Sequence, residues 1–259
     1  MRRLLLIGAI AALAVGCGGS RSSAPATDGT APPTEPAPTA TETTGPTTTI
    51  ALRVYLLRDG KIAPVLRRVS ETRAVARAAL AELVAGPTAE ERAEGLTTSL
   101  PARLELGPPR TQDDTLDLGA SPDLSPEQAA QIVYTMTQFP RVRRVRLGAL
   151  VFGRAAFEDQ TPPILVESPL PGETVSTPLR VRGTANTFEA TFELEVVDAS
   201  GRRLAHRVVT ATSGSGERGN YDTTLNLPAA SGRIVLVAYE SSAENGQRIH
   251  VVRIPLVAG

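Results

Sequence analysis

The sequence predicts a multi-domain chain with two folded parts in series, an α+β domain followed by an all-β sandwich. Three observations carry that prediction. Between residues 50 and 153, strand-like alternation is interrupted twice by segments whose apolar residues recur at helical spacing. From residue 162 to 259 only strand-like runs recur, separated by turn residues. Once a leader and a Pro/Thr/Ser-rich stretch are set aside, roughly 210 residues remain, enough for two domains of ordinary size.

Residues 1–16 read as an export signal: Arg2 and Arg3, an apolar run from Leu4 to Val15, and a small residue before Cys17. The run is too short to cross a bilayer core, which takes roughly 20 helical residues. Ala14-Val15-Gly16-Cys17 resembles the lipobox of bacterial lipoproteins, with Ala14 where leucine is more usual. The resemblance implies that the Cys17 thiol is acylated and becomes the lipid-carrying N-terminus, on the outer face of the cytoplasmic membrane. An ordinary secretory signal with an incidental cysteine is the alternative. Residues 17–49 are low in complexity and expected to be a disordered tether, because they hold too little apolar surface to offset ordering.

In the α+β domain, Ala51–Leu57 and Ile62–Val69 read as strands joined by a turn at Arg58-Asp59-Gly60. Ser70 is expected to cap a helix ending at Ala85, with Ala76, Ala79, Leu80, Leu83 and Val84 on one face and Gly86-Pro87 as its stop. Short strands are expected at Arg103–Leu106 and Thr115–Leu118. Ser125-Pro126-Glu127-Gln128 is a capping box with proline in the first turn, opening a helix that Pro140 closes. A last strand at Arg143–Leu147 gives the order β-β-α-β-β-α-β, with helices on one face of a mixed sheet.

After Pro162-Pro163, seven strands are expected: Ile164–Glu167, Leu179–Thr184, Ala190–Val197, Arg203–Thr210, Tyr221–Leu227, Ile234–Tyr239 and Arg248–Leu256. Turns containing Gly201 and Gly246 lie between them. Seven strands without a helix favour an immunoglobulin-like sandwich, here without a disulfide or tryptophan.

Residues 50–153 resemble the GerMN domain, a module named from sporulation and spore germination proteins. The matching pieces are Leu83–Thr88, Gly95-Leu96 through Leu100-Pro101, and Ile132–Pro140. Residues 162–259 resemble the immunoglobulin-like domain of bacterial spore germination, through Ser168–Gly172, Gly183–Ala190 and Tyr239-Glu240-Ser241. The α-β-β-α-β part of the first domain is also similar, in topology alone, to ring-building modules of envelope secretion machines.

Candidate chemistry is sparse. The formal net charge is zero, so no overall field favours nucleic acid, and with aromatic residues at 3% and no tryptophan, stacking platforms for sugars or bases are not expected. Cys17 is the single cysteine, so no internal disulfide is possible. His206 and His250 stand alone, without metal-ligand spacing. Asp113-Asp114 reads as a turn, and Glu193 and Glu195, just after Glu189, as a solvated strand face. Arg141, Arg143, Arg144 and Arg146 read as the charged side of an edge strand, with contact to anionic lipid or wall polymer as the alternative. No catalytic, cofactor or metal site is expected.

The resulting expectation is a non-catalytic binding or assembly module of the cell envelope, held by acylated Cys17 and, by resemblance, related to sporulation or germination. Its expected partner is an envelope protein or a second copy. A peptidoglycan-binding role, or an accessory role to a wall hydrolase or sensor, is the alternative.

Overall fold

The computed structural model describes residues 48–104, 106–119, 123–229 and 231–259. The export signal, Cys17 and nearly all of the tether lie outside the described residues. What is described belongs to one compact unit.

The first part of the fold opens with strands β1 (Thr49–Arg58) and β2 (Lys61–Ser70), paired along their full length from Thr49↔Ser70 to Arg58↔Lys61. Asp59 and Gly60 both take positive φ, 51° and 73°, the conformation that matches a two-residue turn to strand twist. Because β2 continues to Ser70, that residue caps nothing. Helix α1 starts later, at Val75, and runs to Ala85. It buries Ala79 and Leu83, with Ala76 and Leu80 packed beside them, and Gly86 stops it at φ 73°. A second short helix, α2 (Ala89–Ala93), follows at once under a capping box between Thr88 and Glu91. Then come β3 (Leu96–Thr97), β4 (Arg110–Gln112), β5 (Thr115–Asp117), α3 (Pro126–Met136), β6 (Arg144–Leu147) and β7 (Leu150–Phe152).

The expected order is therefore corrected to β-β-α-α-β-β-β-α-β-β, and the single mixed sheet to two sheets, β2-β1-β3 and β4-β5-β6-β7. Arg103, Leu104 and Leu106 are not in a strand; Leu104 and Leu106 instead pack against the core as irregular chain, and Glu105 lies outside the described residues. The missed hairpin β6–β7 turns on Gly148, at φ 60°. The capping box at Ser125 and Gln128 forms as the sequence predicts, with proline in the first turn.

Helix α3 is buried on every side from Ala129 to Met136, which is the mark of a central helix rather than a surface one. Its polar residues are spent on β1. Gln131 Nε2 donates to the Tyr55 carbonyl (3.1 Å), and the Tyr55 N–H donates to Thr135 Oγ1 (3.1 Å). Gln138 Oε1 accepts from the Arg53 N–H (2.9 Å), and its Nε2 donates to the Arg53 carbonyl (2.6 Å). Along this stretch side chains of α3, and of Gln138 just beyond its end, thus satisfy backbone groups that a neighbouring strand would otherwise satisfy. Gln131 also accepts from the Ser99 N–H at 3.0 Å. Gln131→Met keeps the shape but strands the buried Tyr55 carbonyl and removes the acceptor of the Ser99 N–H. We expect a loss of about 2 kcal/mol, read from urea unfolding at constant slope.

The second part is a two-layer sandwich. One sheet holds β13 (Gly219–Leu225), β10 (Leu179–Ala185) and β8 (Ile164–Ser168). The other holds β12 (Arg203–Thr210), β11 (Thr191–Asp198), β14 (Gly232–Ser241), β15 (Arg248–Ala258) and the short β9 (Thr174–Val175). The seven expected strands appear within a few residues of their predicted bounds, and β9 is additional. Inward residues alternate along each strand, and Phe192 meets Tyr221 edge-on at 4.8 Å across the layers.

Candidate functional site

Three features outside the ordinary core could serve function: the junction between the two parts, the cleft beside it, and the charged outer face of the larger sheet.

Strand β8 makes the junction. Ile164 and Val166 face the sandwich core, while Leu165, pointing the opposite way, joins the core of the first part together with Phe157. A 3-10 helix (Arg154–Gln160) leads into β8 and carries the ionic centre of the junction. Arg154 Nη1 pairs with Glu167 Oε1 at 2.7 Å, its Nε donates to Thr137 Oγ1 at 2.7 Å, and its guanidinium lies 4.7 Å from the Tyr134 ring. The Tyr55 hydroxyl donates to the same Glu167 carboxylate. Burial alone would raise the Glu167 carboxyl, but Arg154 and the Tyr55 hydroxyl outweigh it and hold it below the usual carboxylate range. Burial, and then the Glu167 charge, push the Tyr55 phenol upward. A second tie runs from Arg218 to Glu158 (2.8 Å), with Asn186 Nδ2 donating to the same carboxylate at 2.8 Å.

Beside the junction, two adjoining hollows of about 220 and 490 Å3 share Val65, Leu96 and Pro171 and form one cleft. One wall is β2, from Lys61 to Leu66, and the other is β15, from His250 to Val257. The lining is mainly apolar. Arg58, Lys61 and Arg253 stand at one end with Asp59, and Glu91 and Glu94 at the other with Arg233.

On the outer face of the larger sheet, Glu193 accepts from Ser241 Oγ (2.6 Å) and Tyr239 Oη (3.0 Å) and meets His206 Nε2 at 2.6 Å. Those contacts, the Ser241 hydroxyl foremost, hold its carboxyl below the ordinary value. Glu195 is only 5% exposed, so the expected solvated face is corrected here. Arg248 on β15 and Arg203 on β12 close over it, with Arg248 Nη2 2.6 Å from its Oε2 and Arg203 Nε 3.8 Å from its Oε1. The Arg248 guanidinium also lies 4.1 Å from the Tyr239 ring. Glu189 lies outside the strand, in the turn before β11 at φ 52°. His250 meets Glu240 at 2.9 Å, and that carboxylate also accepts from the Phe188 N–H. The two histidines are thus paired with different carboxylates and do not converge.

The arginine cluster is not an edge, because β6 lies between β5 and β7. Arg144 pairs with Asp114 at 2.7 Å and Arg146 lies 3.6 Å from Asp117, both across the parallel β5–β6 ladder. Asp113 occupies the turn at φ 53°, as its position predicts.

The cleft and junction were not anticipated. Their charged residues, Arg58, Arg154, Glu167 and Arg253, are scattered along the chain and carry no motif. Gln131 and Thr135 did leave a signal, polar residues at i and i+4 within the apolar stretch of α3, with Gln138 at i+7 just beyond its end.

Comparison with known families places both parts. Residues 53–149 match the family model described as sporulation and spore germination. Residues 163–247 match the model described as the immunoglobulin-like domain of bacterial spore germination. No curated protein matches the chain. Among the described residues no helix is long and apolar enough to cross a membrane.

Proposed function

We propose that this chain is a lipid-anchored, extracytoplasmic module that binds an envelope protein without catalysis, in a sporulation- or germination-related process. The two family matches support the process, since both matched descriptions name spore germination. The Ala14-Val15-Gly16-Cys17 pattern supports the anchor. The observation that carries the binding role is the cleft, an apolar trough whose two walls come from different parts of a joined fold. A non-catalytic reading is supported by the carboxylates beside it and on the sandwich face. Glu167, Glu193 and Glu158 are each held low by hydrogen-bonded partners, the opposite of a carboxyl poised as a general acid.

Two experiments test this reading. Cys17→Ala is expected to move the protein from the membrane fraction to the soluble one and to abolish labelling by an alkyne fatty acid, leaving thermal unfolding unchanged. Membrane retention of that variant after signal cleavage would refute the anchor. Crosslinking in living cells followed by capture of the wild-type chain is expected to recover an envelope protein repeatedly. Recovery of wall fragments alone would replace the reading with peptidoglycan binding.

A further inference from the structure

We propose that the cleft between β2 and β15 takes an extended peptide carrying a carboxylate side chain, which adds as a strand along the open edge of β2. The proposal rests on the binding role above and specifies its ligand.

The backbone supports an extended ligand. Strand β2 is the outermost of β2-β1-β3, so one side of its ladder is open. Its open side can be assigned group by group. Arg53 and Tyr55 spend their own N–H and C=O groups on Gln138, Gln131 and Thr135, pointing away from β2. Their partners Leu66 and Pro64 therefore form non-hydrogen-bonded pairs with them and turn their backbone groups outward, as does Ile62 two residues before Pro64; of these groups the Leu66 carbonyl is met by Arg67 Nη1 at 3.3 Å. The opposite wall has the same character. Beyond β14, β15 is covered only toward its end among the described residues, by Gly172 and Glu173 at Pro255 and Val257 and by β9 at Val257 and Ala258. The Pro255 carbonyl accepts from the Gly172 N–H, so it points away from β14, and by the two-residue period Arg253 does too. Pro64 and Pro255 each remove one donor from these edges, which discourages indiscriminate pairing. Ile62, Leu66 and Arg253 keep theirs.

The charges fix the chemistry of the ligand. Arg58, Lys61 and Arg253 line one end of the cleft and outnumber its one acid, Asp59; Arg58 and Arg253 have no salt-bridge partner among the described residues, and Arg58 Nε is buried without a hydrogen-bond acceptor. A carboxylate on the incoming segment supplies that acceptor in a site where a charged hydrogen bond is worth most. At the other end Glu91 is already paired with Arg67 and Glu94 shares the lining with Arg233, whereas the unsatisfied buried donor lies at Arg58, so the acidic residue sits at the Arg58 end. Six residues of β2 wall, Lys61 to Leu66, span about 20 Å at strand rise, room for a segment of similar length. Main-chain pairing supplies affinity and the flanking side chains supply selection, as in other strand-addition sites.

The test is selection of a displayed random dodecapeptide library on the full-length protein in detergent, run in parallel on Arg58→Glu/Arg253→Glu. Arg58→Gln/Arg253→Gln serves as a second variant should the reversed charges disturb folding. Wild-type protein is expected to enrich peptides that place Asp or Glu beside alternating apolar residues. The best synthetic peptide should lose at least tenfold affinity on the variants, weaken with added salt, and slow amide exchange at Ile62, Leu66 and Arg253. Enrichment of peptides without carboxylates, undiminished binding by the variants, unchanged exchange at those amides, or no enrichment at all would overturn the proposal. A wild-type dimer that the variants dissociate would assign the cleft to a second copy instead. Failure here with an envelope protein still captured in cells would leave the binding role standing and move its site elsewhere.

Discussion

Glu167→Ala is expected to lower stability by about 3 kcal/mol and the melting temperature by roughly 10 °C. The carboxylate is the counter-charge of Arg154, and both side chains are mostly shielded, at 26% and 14% exposure for arginine and glutamate. Truncating the acid leaves the guanidinium in place between Tyr55 and Tyr134 with nothing to neutralise it, which costs more than the pair itself contributes. The paired replacement Arg154→Met with Glu167→Met should therefore recover part of the loss, because neither charge is then left alone. Acid should act in the same direction. The folded-state pKa of Glu167 lies below its unfolded value, so its stabilisation is fully present above the ordinary carboxylate range and disappears as pH falls through the folded value. The stability gap between wild type and Glu167→Gln should then be widest near neutrality and shrink in acid; a gap that grows on acidification would refute the assignment. Melting curves at a series of pH values measure both effects. The same substitution bears on function, since the cleft walls belong to the two parts that this pair holds together.

The legibility of the chain divides along physical lines. Local signals were readable: the alternation of β10 and β11, the capping box at Ser125, and the Asp59-Gly60 turn depend on neighbours in sequence. Ser70 misled because a serine before an apolar stretch is as compatible with a strand end as with a cap, and pairing with Thr49 decided it. Helix α2 and the short strands β3 and β4 were missed because pieces of two to five residues hold too few positions to show a period. The candidate site was illegible for a different reason. Nothing in Ile164-Leu165-Val166 says which residue serves which core, and Arg154 and Glu167 meet only because the 3-10 helix folds back on β8. Glu195 was assigned to solvent on strand periodicity, yet Arg203 and Arg248 from flanking strands cover it. Periodicity gives the face a residue points from, and only the tertiary fold gives what lies over that face.

Gly183→Ala is the second large effect, and its cause is distance rather than backbone conformation. Gly183 pairs with Tyr221 on β13 on one side and Val166 on β8 on the other, where the register of the ladder shifts. A methyl group there would lie 1.9 Å from the Leu165 carbonyl oxygen and 2.6 Å from the Tyr221 hydroxyl. Those two groups are hydrogen-bonded to each other at 3.1 Å, and the Tyr221 ring is buried against Phe192. The added carbon must therefore push β8 from β10, break a buried hydrogen bond, or do both. Overpacking and a lost buried bond together put the cost at about 3 kcal/mol or more, read from chemical denaturation. Two companions separate the causes. Gly246→Ala sits at φ 71° with open space around it, so its loss should reflect conformation alone, about 1 kcal/mol. Adding Tyr221→Phe to Gly183→Ala removes the hydroxyl contact but leaves the carbonyl in place, so little stability should return. Full recovery in that double variant would mean that the tyrosine hydroxyl, and not the backbone of β8, requires glycine at this position. Because Leu165 belongs to the core of the first part, displacement of β8 should also loosen the junction, seen as faster amide exchange along β1 as well as β10.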